Sequence, residues 1–188
     1  RSLERHVRDA WTRRAGIGQD IYTLPPTEGQ DRGWYRGTAC AIQQNIDKIE
    51  HSNPDRVAVF GGDHIYTMDI SRMIEAHNGG NDLTIAANKT RISEENFEIN
   101  KEGKRRFKFG VIEADKRNRV INFQEKPEHP AEIPGQPGYC WASMGNYLFK
   151  TDVLIDVLGR GYGLDFGNHV IPKMREDGMK LFVFPFDG

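Results

Sequence analysis

A chain of 188 residues, 37% hydrophobic and 28% charged, is long enough to bury the core of one globular domain. Its mean hydropathy of -0.66 argues against membrane spans, and no apolar run approaches the length of a transmembrane helix. A net charge of -1 gives no general reason to expect nucleic acid or an anionic membrane as partner. Cys40 and Cys140 lie far apart and form no metal-ligand spacing, which favours a reducing compartment over a disulfide. The chain opens on RSLERHVRDAW without an initiator methionine or a signal peptide, which suggests a fragment or a processed product.

In chain order, Leu3, Val7, Ala10 and Trp11 recur at helical spacing and predict an amphipathic helix, followed by a short extended piece and a loop marked by Pro25, Pro26 and Gly29. Ile42, Ile46 and Ile49 predict a second helix over 37–50, capped near Thr38, with free backbone N–H groups at its start. Val57 to Phe60 form an apolar run without alternation, which suits a strand covered on both faces in a parallel sheet. A helix over 68–78 should bury Ile70, Met73, Ile74 and His77 before stopping at Gly79 and Gly80.

DLTIAANK reads as the next strand, the charged stretch from Thr90 to Arg106 as solvated connection, and RFKFGVIEAD with RVINFQEKP as a hairpin. Four prolines between 127 and 137 predict a rigid surface crossing. YCWASMGNYLFK then returns to strand, TDVLIDVL to helix, a glycine-rich loop enters a further helix, and MKLFVFPF closes as strand. Alternating strands and helices predict an α/β fold, a mixed and mostly parallel sheet with helices on both faces and an antiparallel insertion.

Chemistry concentrates where glycines meet polar groups at predicted strand ends. Gly61 and Gly62 would let backbone approach a ligand, and Asp63 after them is either a helix cap or a Mg²⁺ ligand, since Mg²⁺ takes few protein carboxylates when phosphate oxygens and water complete its shell. Lys126, next to Glu125 and fixed by Pro127, is an exposed ion pair or a point charge for phosphate, while a neighbouring carboxylate can accept from sugar hydroxyls. Gly110 is a bulge or a point of close approach. Arg36, Gly37 and Thr38 begin a helix and suit an anion or simply a surface. Asp165 and Phe166 echo a kinase D-F-G motif, but neither an H-R-D loop nor a glycine-rich ATP loop accompanies them.

Taken together, GWYRGTACAIQQN, GGDHIYTMDISRMI, FGVIEAD, FQEKP, ASMGNYLF and DFGNHVIPKM resemble, in order and across nearly the whole chain, the glucose-1-phosphate adenylyltransferases of glycogen and starch synthesis. The resemblance implies a nucleotide-diphospho-sugar transferase fold and transfer of an adenylyl group from ATP to glucose 1-phosphate. It implies Asp63 as Mg²⁺ ligand and Tyr35 and Gly110 lining the glucose 1-phosphate site. It also implies Glu125 on sugar hydroxyls, Lys126 on the sugar phosphate, and Ser143, Tyr147, Asp165 and Phe166 shaping the hexose pocket, with Arg36, Gly37 and Thr38 towards the nucleotide.

The family's glycine-rich nucleotide loop, its second metal-binding Asp and its carboxyl-terminal β-helix domain have no counterpart in this sequence, and Cys40 stands where members usually carry Asp or Asn. The chain therefore reads as the central part of a catalytic domain, not expected to turn over alone, from a cytoplasmic enzyme expected to be a homotetramer when whole. The alternatives are another sugar-1-phosphate nucleotidyltransferase, a regulatory subunit of the same fold, or a sugar-phosphate binding module.

Overall fold

The computed structural model describes residues 5–7, 9, 21–25, 35–62 and 67–186. Its contacts divide the chain into two units, Arg1–Tyr35 and Arg36–Gly188. In the first, residues 5–7 and 9 are helical, residues 21–25 have no regular structure, and the Tyr35 hydroxyl donates to the Leu24 carbonyl at 3.0 Å. Leu3, Ala10, Trp11, Pro26 and Gly29 lie outside the described residues.

The second unit is built on one six-stranded sheet of order β6-β5-β7-β2-β8, with β1 joined to β7. Its strands are β1 (Arg56–Val59), β2 (Leu83–Arg91), β5 (Val111–Ala114), β6 (Val120–Gln124), β7 (Tyr139–Lys150) and β8 (Leu181–Phe186). The expected mixed α/β sheet forms. Its one parallel pairing among the described strands is β2 with β8, and β7 runs antiparallel to β1, β2 and β5. At twelve residues β7 is the spine: β2 follows one edge, while β1 takes residues 147–150 and β5 residues 141–142 of the other. Between those two segments the edge of β7 is left to loops.

Strand periodicity sorts side chains onto two faces. Leu83, Ile85 and Ala87 of β2, Tyr147 and Phe149 of β7, and Leu181 and Val183 of β8 pack into the main core. Above it lie α1 (Thr38–Gln43), α2 (Ile46–Ser52), α4 (Thr151–Gly159) and α5 (Ile171–Glu176). Ala86, Leu148 and Phe184 point the other way, onto Met73 of α3 (Ile70–His77). Helices thus cover both faces. Asp69 caps α3 by accepting from the Ser71 N–H at 3.0 Å, and on the buried side His77 Nδ1 meets Thr84 Oγ1 at 2.9 Å.

Four local expectations are corrected. The helix expected over 37–50 is two helices, because Asn45 turns its amide onto the Ala41 carbonyl and its N–H onto Ile42. β1 is half-exposed and antiparallel to β7, so its apolar run serves one covered face. Ile70 is 41% exposed although Met73 and His77 of the same helix are buried. The charged stretch 90–106 carries a 3₁₀ turn and strand β3 (Phe97–Ile99), which pairs with β4 (Arg105–Phe107). There Phe97 sits edge-on to Phe107 and under the Arg105 guanidinium, a small core that the charge had concealed.

Candidate active site

The end of β1 opens into a cavity of about 490 Å³. Val59, Phe60, Gly61 and Gly62 form one wall, Thr38, Ala41 and Ile42 of α1 another, and Gly145 and Tyr147 of β7 the floor. Glu125, just past β6, and Asp165, Phe166 and Gly167 complete the lining. Strands β1 and β6 and the turn before α5 thus deliver their ends to one place, as expected where ligands collect at the ends of sheet strands.

Local backbone explains why these side chains converge. Opposite Ala86 the pairing of β7 slips, from Ile85 with Tyr147 to Ala87 with Ser143, and Gly145 takes a left-handed φ of 71° in the resulting bulge. The Ser143 hydroxyl accepts from the Gly145 N–H at 3.3 Å and faces the Tyr147 hydroxyl, whose proton affinity it lowers, while the Ser143 N–H donates to the Gly110 carbonyl at 2.8 Å. Tyr147 and Phe149 both pack against Phe166, with ring centroids 5.4 Å away.

The two carboxylates of the cavity differ in what satisfies them. Asp165 caps a π-helical turn, Phe166–Val170, by accepting from the Asn168 N–H at 2.9 Å and amide at 3.0 Å, while its other oxygen accepts from the Thr38 hydroxyl at 3.2 Å. Burial pushes its proton affinity up, but these donors outweigh it and hold Asp165 below the usual carboxylate range. Among the described residues none donates to Glu125 in this way. Burial, reinforced by the charge of Asp165, raises its pKa against the opposing effect of Lys126. Tyr147 is pushed up to about 12, chiefly by burial, and stays a neutral phenol.

The nucleotidyl transferase family matches residues 2–188. The chain belongs to that family. It is 43% identical over 192 residues to a glucose-1-phosphate adenylyltransferase of Trichlorobacter lovleyi and 44% to one of Geobacter metallireducens, in each case over 99% of this chain. A Shewanella enzyme of the same name is 38% identical over 98% of it. The chain spans about 44% of the length of the first two relatives.

Within this nucleotidyl transferase, Glu125, Tyr147, Asp165 and Phe166 line one cavity, and Thr38, expected on the nucleotide side, lines it with them. Ser143 and Gly110 stand directly behind them, Ser143 on the Tyr147 hydroxyl and Gly110 against Glu125. Gly110 is no bulge: it separates β4 from β5, so the extended stretch around it is two strands. Lys126 turns away from the cavity. Its left-handed φ of 46° sends Glu125 and Lys126 in different directions, and the ammonium pairs with Glu98 Oε1 at 3.0 Å, not with Glu125.

At the start of α1, Gly37 packs on the distant segment before Asp165 so tightly that a Cβ would lie 2.3 Å from the Leu164 carbonyl oxygen. That oxygen already accepts the Cys40 N–H at 3.0 Å, so part of the expected anion seat is spent inside the protein. Arg36 is exposed, Tyr35 belongs to the other unit, and Asp63 and His64 lie outside the described residues. Among the described residues no group of three or more His, Cys, Asp or Glu could hold a metal ion. Gly167 was not foreseen, because a glycine near a helix start has too many ordinary explanations.

Both cysteines are free and buried, and they sit apart: Cys40 accepts from the Gln44 amide, while Cys140 lies beside the Thr90 carbonyl, its thiol pushed up to about 11 by burial. No helix among the described residues is long and apolar enough to cross a membrane.

Proposed function

We propose that the protein carrying this chain transfers an adenylyl group from ATP to glucose 1-phosphate, forming ADP-glucose and pyrophosphate in glycogen or starch synthesis. The observation that carries the reading is the contrast at the cavity: three protein donors hold Asp165, whereas Glu125 is desolvated with none among the described residues. Such a group gains most from a ligand that donates, and two carboxylates beside each other favour hydroxyls over an anion. The hexose ring belongs at this end and its phosphate further out, towards Gly61 and Gly62, where Lys126 would have to turn in from its pair with Glu98 to reach it. The names of the relatives support the nucleotide and the sugar.

The reaction asks little covalent chemistry of the chain. A phosphate oxygen of the sugar attacks the α-phosphorus of ATP, the bond from that phosphorus to the bridging oxygen breaks, and pyrophosphate leaves with the electron pair. Glu125 fixes the sugar hydroxyls, and Tyr147 with Ser143 and Phe166 sets the pocket wall. Lys126 exchanges its exposed partner Glu98 for the sugar phosphate, an exchange that costs little because exposed pairs are weak. Arg36, exposed at the start of α1, faces the nucleotide, while Gly37 and Thr38 hold that start against Leu164 and Asp165.

The glycine pair at the end of β1 leaves room for an ion: among the described residues nothing lies within 4 Å of a Cβ built on Gly62, and Asp63 follows it directly in the sequence. Asp63 would hold Mg²⁺, which when bound supplies neutralisation of the phosphate oxygens. Asp63→Asn in the full-length protein is expected to abolish Mg²⁺-dependent turnover with the fold intact, and near-normal activity would remove that role. A homotetramer in the cytoplasm, engaging neither nucleic acid nor membrane, belongs to the same reading.

The test is pyrophosphate release by the full-length protein with glucose 1-phosphate, Mg²⁺ and each of ATP, UTP, CTP, GTP and dTTP in turn. Selective use of ATP supports the proposal. Preference for another nucleotide overturns the adenylyl assignment, and inactivity with all five overturns catalysis in favour of a regulatory subunit.

A further inference from the structure

Two glycines close on the Glu125 carboxylate from different parts of the chain. A Cβ on Gly167 would lie 2.4 Å from Glu125 Oε2 and 3.1 Å from its Cδ. One on Gly110 would lie 2.9 Å from the same oxygen and 2.8 Å from Cζ of Phe123. Neither glycine has the left-handed backbone that would call for glycine on conformational grounds. What both positions require is the absence of a side chain where the carboxylate sits.

We infer that Gly110 and Gly167 form a seat for the Glu125 carboxylate, and that Gly167 is a positioning residue for sugar recognition, fixing where Glu125 presents its oxygens to a hexose hydroxyl. The inference rests on the proposed function for its ligand and on geometry alone for the seat. With backbone against it at two places, the carboxylate has few rotamers left, so its ordering is complete before a ligand arrives. The same closeness shields one side of it from water, in keeping with its raised proton affinity.

The two glycines differ in what substitution would disturb. At Gly110 the first obstacle is the ring of Phe123, which is 6% exposed in the core, so a methyl there strains packing. At Gly167 the nearest obstacles are Glu125 Oε2 and Cδ, the far end of a flexible side chain, which can swing away. Gly167→Ala should therefore move Glu125 by roughly 1 Å while sparing the fold, a displacement that can cost on the order of 10²-fold in a positioned site.

The test uses the full-length protein with Gly167→Ala, Glu125→Asp and the double variant. Gly167→Ala is expected to raise the KM for glucose 1-phosphate by roughly 10- to 100-fold, with the KM for ATP and the thermal midpoint little changed. In the Glu125→Asp background, whose carboxylate is one methylene shorter, Gly167→Ala should add less than about twofold, a non-additivity that a merely structural role would not produce. Without substrate, a carboxyl ¹³C titration should show the Glu125 pKa falling towards the ordinary glutamate range in Gly167→Ala. An unshifted Glu125 titration together with an unchanged sugar-phosphate KM overturns the seat. A shifted titration with an unchanged KM supports the seat and counts against the sugar-phosphate reading, so the two failures are distinguishable.

Discussion

The Thr38 hydroxyl joins two segments that are far apart in sequence, since it donates to Asp165 Oδ2 and accepts the Phe166 N–H, both at 3.2 Å. Thr38→Val keeps the shape and removes both bonds. A hydrogen bond to a charged acceptor is worth about 1.5–3 kcal/mol, and the lower end applies to a long bond at an exposed residue. Loss of the acceptor for the Phe166 N–H adds roughly 0.5 kcal/mol, since water can take its place in part. The sum, about 2 kcal/mol, corresponds to about a 30-fold loss in kcat/KM for the sugar phosphate if all of it is felt at the site. Because the hydroxyl helps hold Asp165 ionised, the Asp165 pKa should rise in the variant, and the acid limb of the kcat/KM profile should move to higher pH. Thr38→Ser retains the hydroxyl and should stay within about threefold of the parent. Steady-state kinetics on the full-length protein decide it: Thr38→Val indistinguishable from Thr38→Ser would refute the bridge as an organiser of the site.

Lys126→Ala should raise the KM for glucose 1-phosphate by roughly two to three orders of magnitude and leave that for ATP near its starting value; equal effects on both would show a general loss of structure. Tyr147→Phe keeps the ring against Phe166 but loses the hydroxyl that faces Ser143 and the cavity, so the thermal midpoint should hold while kcat/KM for the sugar phosphate falls about tenfold. Ser143→Ala combined with it should add little, and full additivity in kinetics would show that the two hydroxyls act separately. For His77, burial first, then Arg56 and Lys150, lower the pKa against the opposing effect of Asp82. A depressed histidine is more easily protonated in the unfolded chain, so its stability contribution is present above about pH 6.5 and is lost as pH falls below it. The thermal midpoint should drop between pH 7 and 5, less steeply in His77→Gln, and parallel curves would remove His77 from the cause.

Most strands were legible because their patterns are local. YCWASMGNYLFK is apolar enough throughout to announce a central strand, and β7 has those bounds. What escaped depended on residues remote in sequence. Nothing near Gly110 says that Phe123 and Glu125 will fold back against it and divide an extended stretch into two strands. Phe97 is one aromatic residue in a run of charges, and its value appears only once Phe107 and Arg105 close on it. At the site, carboxylates and aromatics could be nominated by residue type, as Glu125, Tyr147, Asp165 and Phe166 show. Which carboxylate would be saturated could not, because that depends on Thr38 reaching Asp165.

The position of β7 also governs the order in which the unit can acquire order during synthesis. Arg56 must find Lys150, and Leu83 must find Phe149, before either strand has its antiparallel partner. Contacts of such long range are slow to form, because the loop between them is closed before its reward is realised. A nascent chain ending before Tyr139 holds β1 and β2 with unpaired edges and should remain open to protease. Protection should arrive in a single step once residues beyond 150 are free of the ribosome, whereas gradual protection along the chain would show that earlier segments fold alone. The strand that shapes the floor of the cavity is thus also the one for which β1 and β2 must wait.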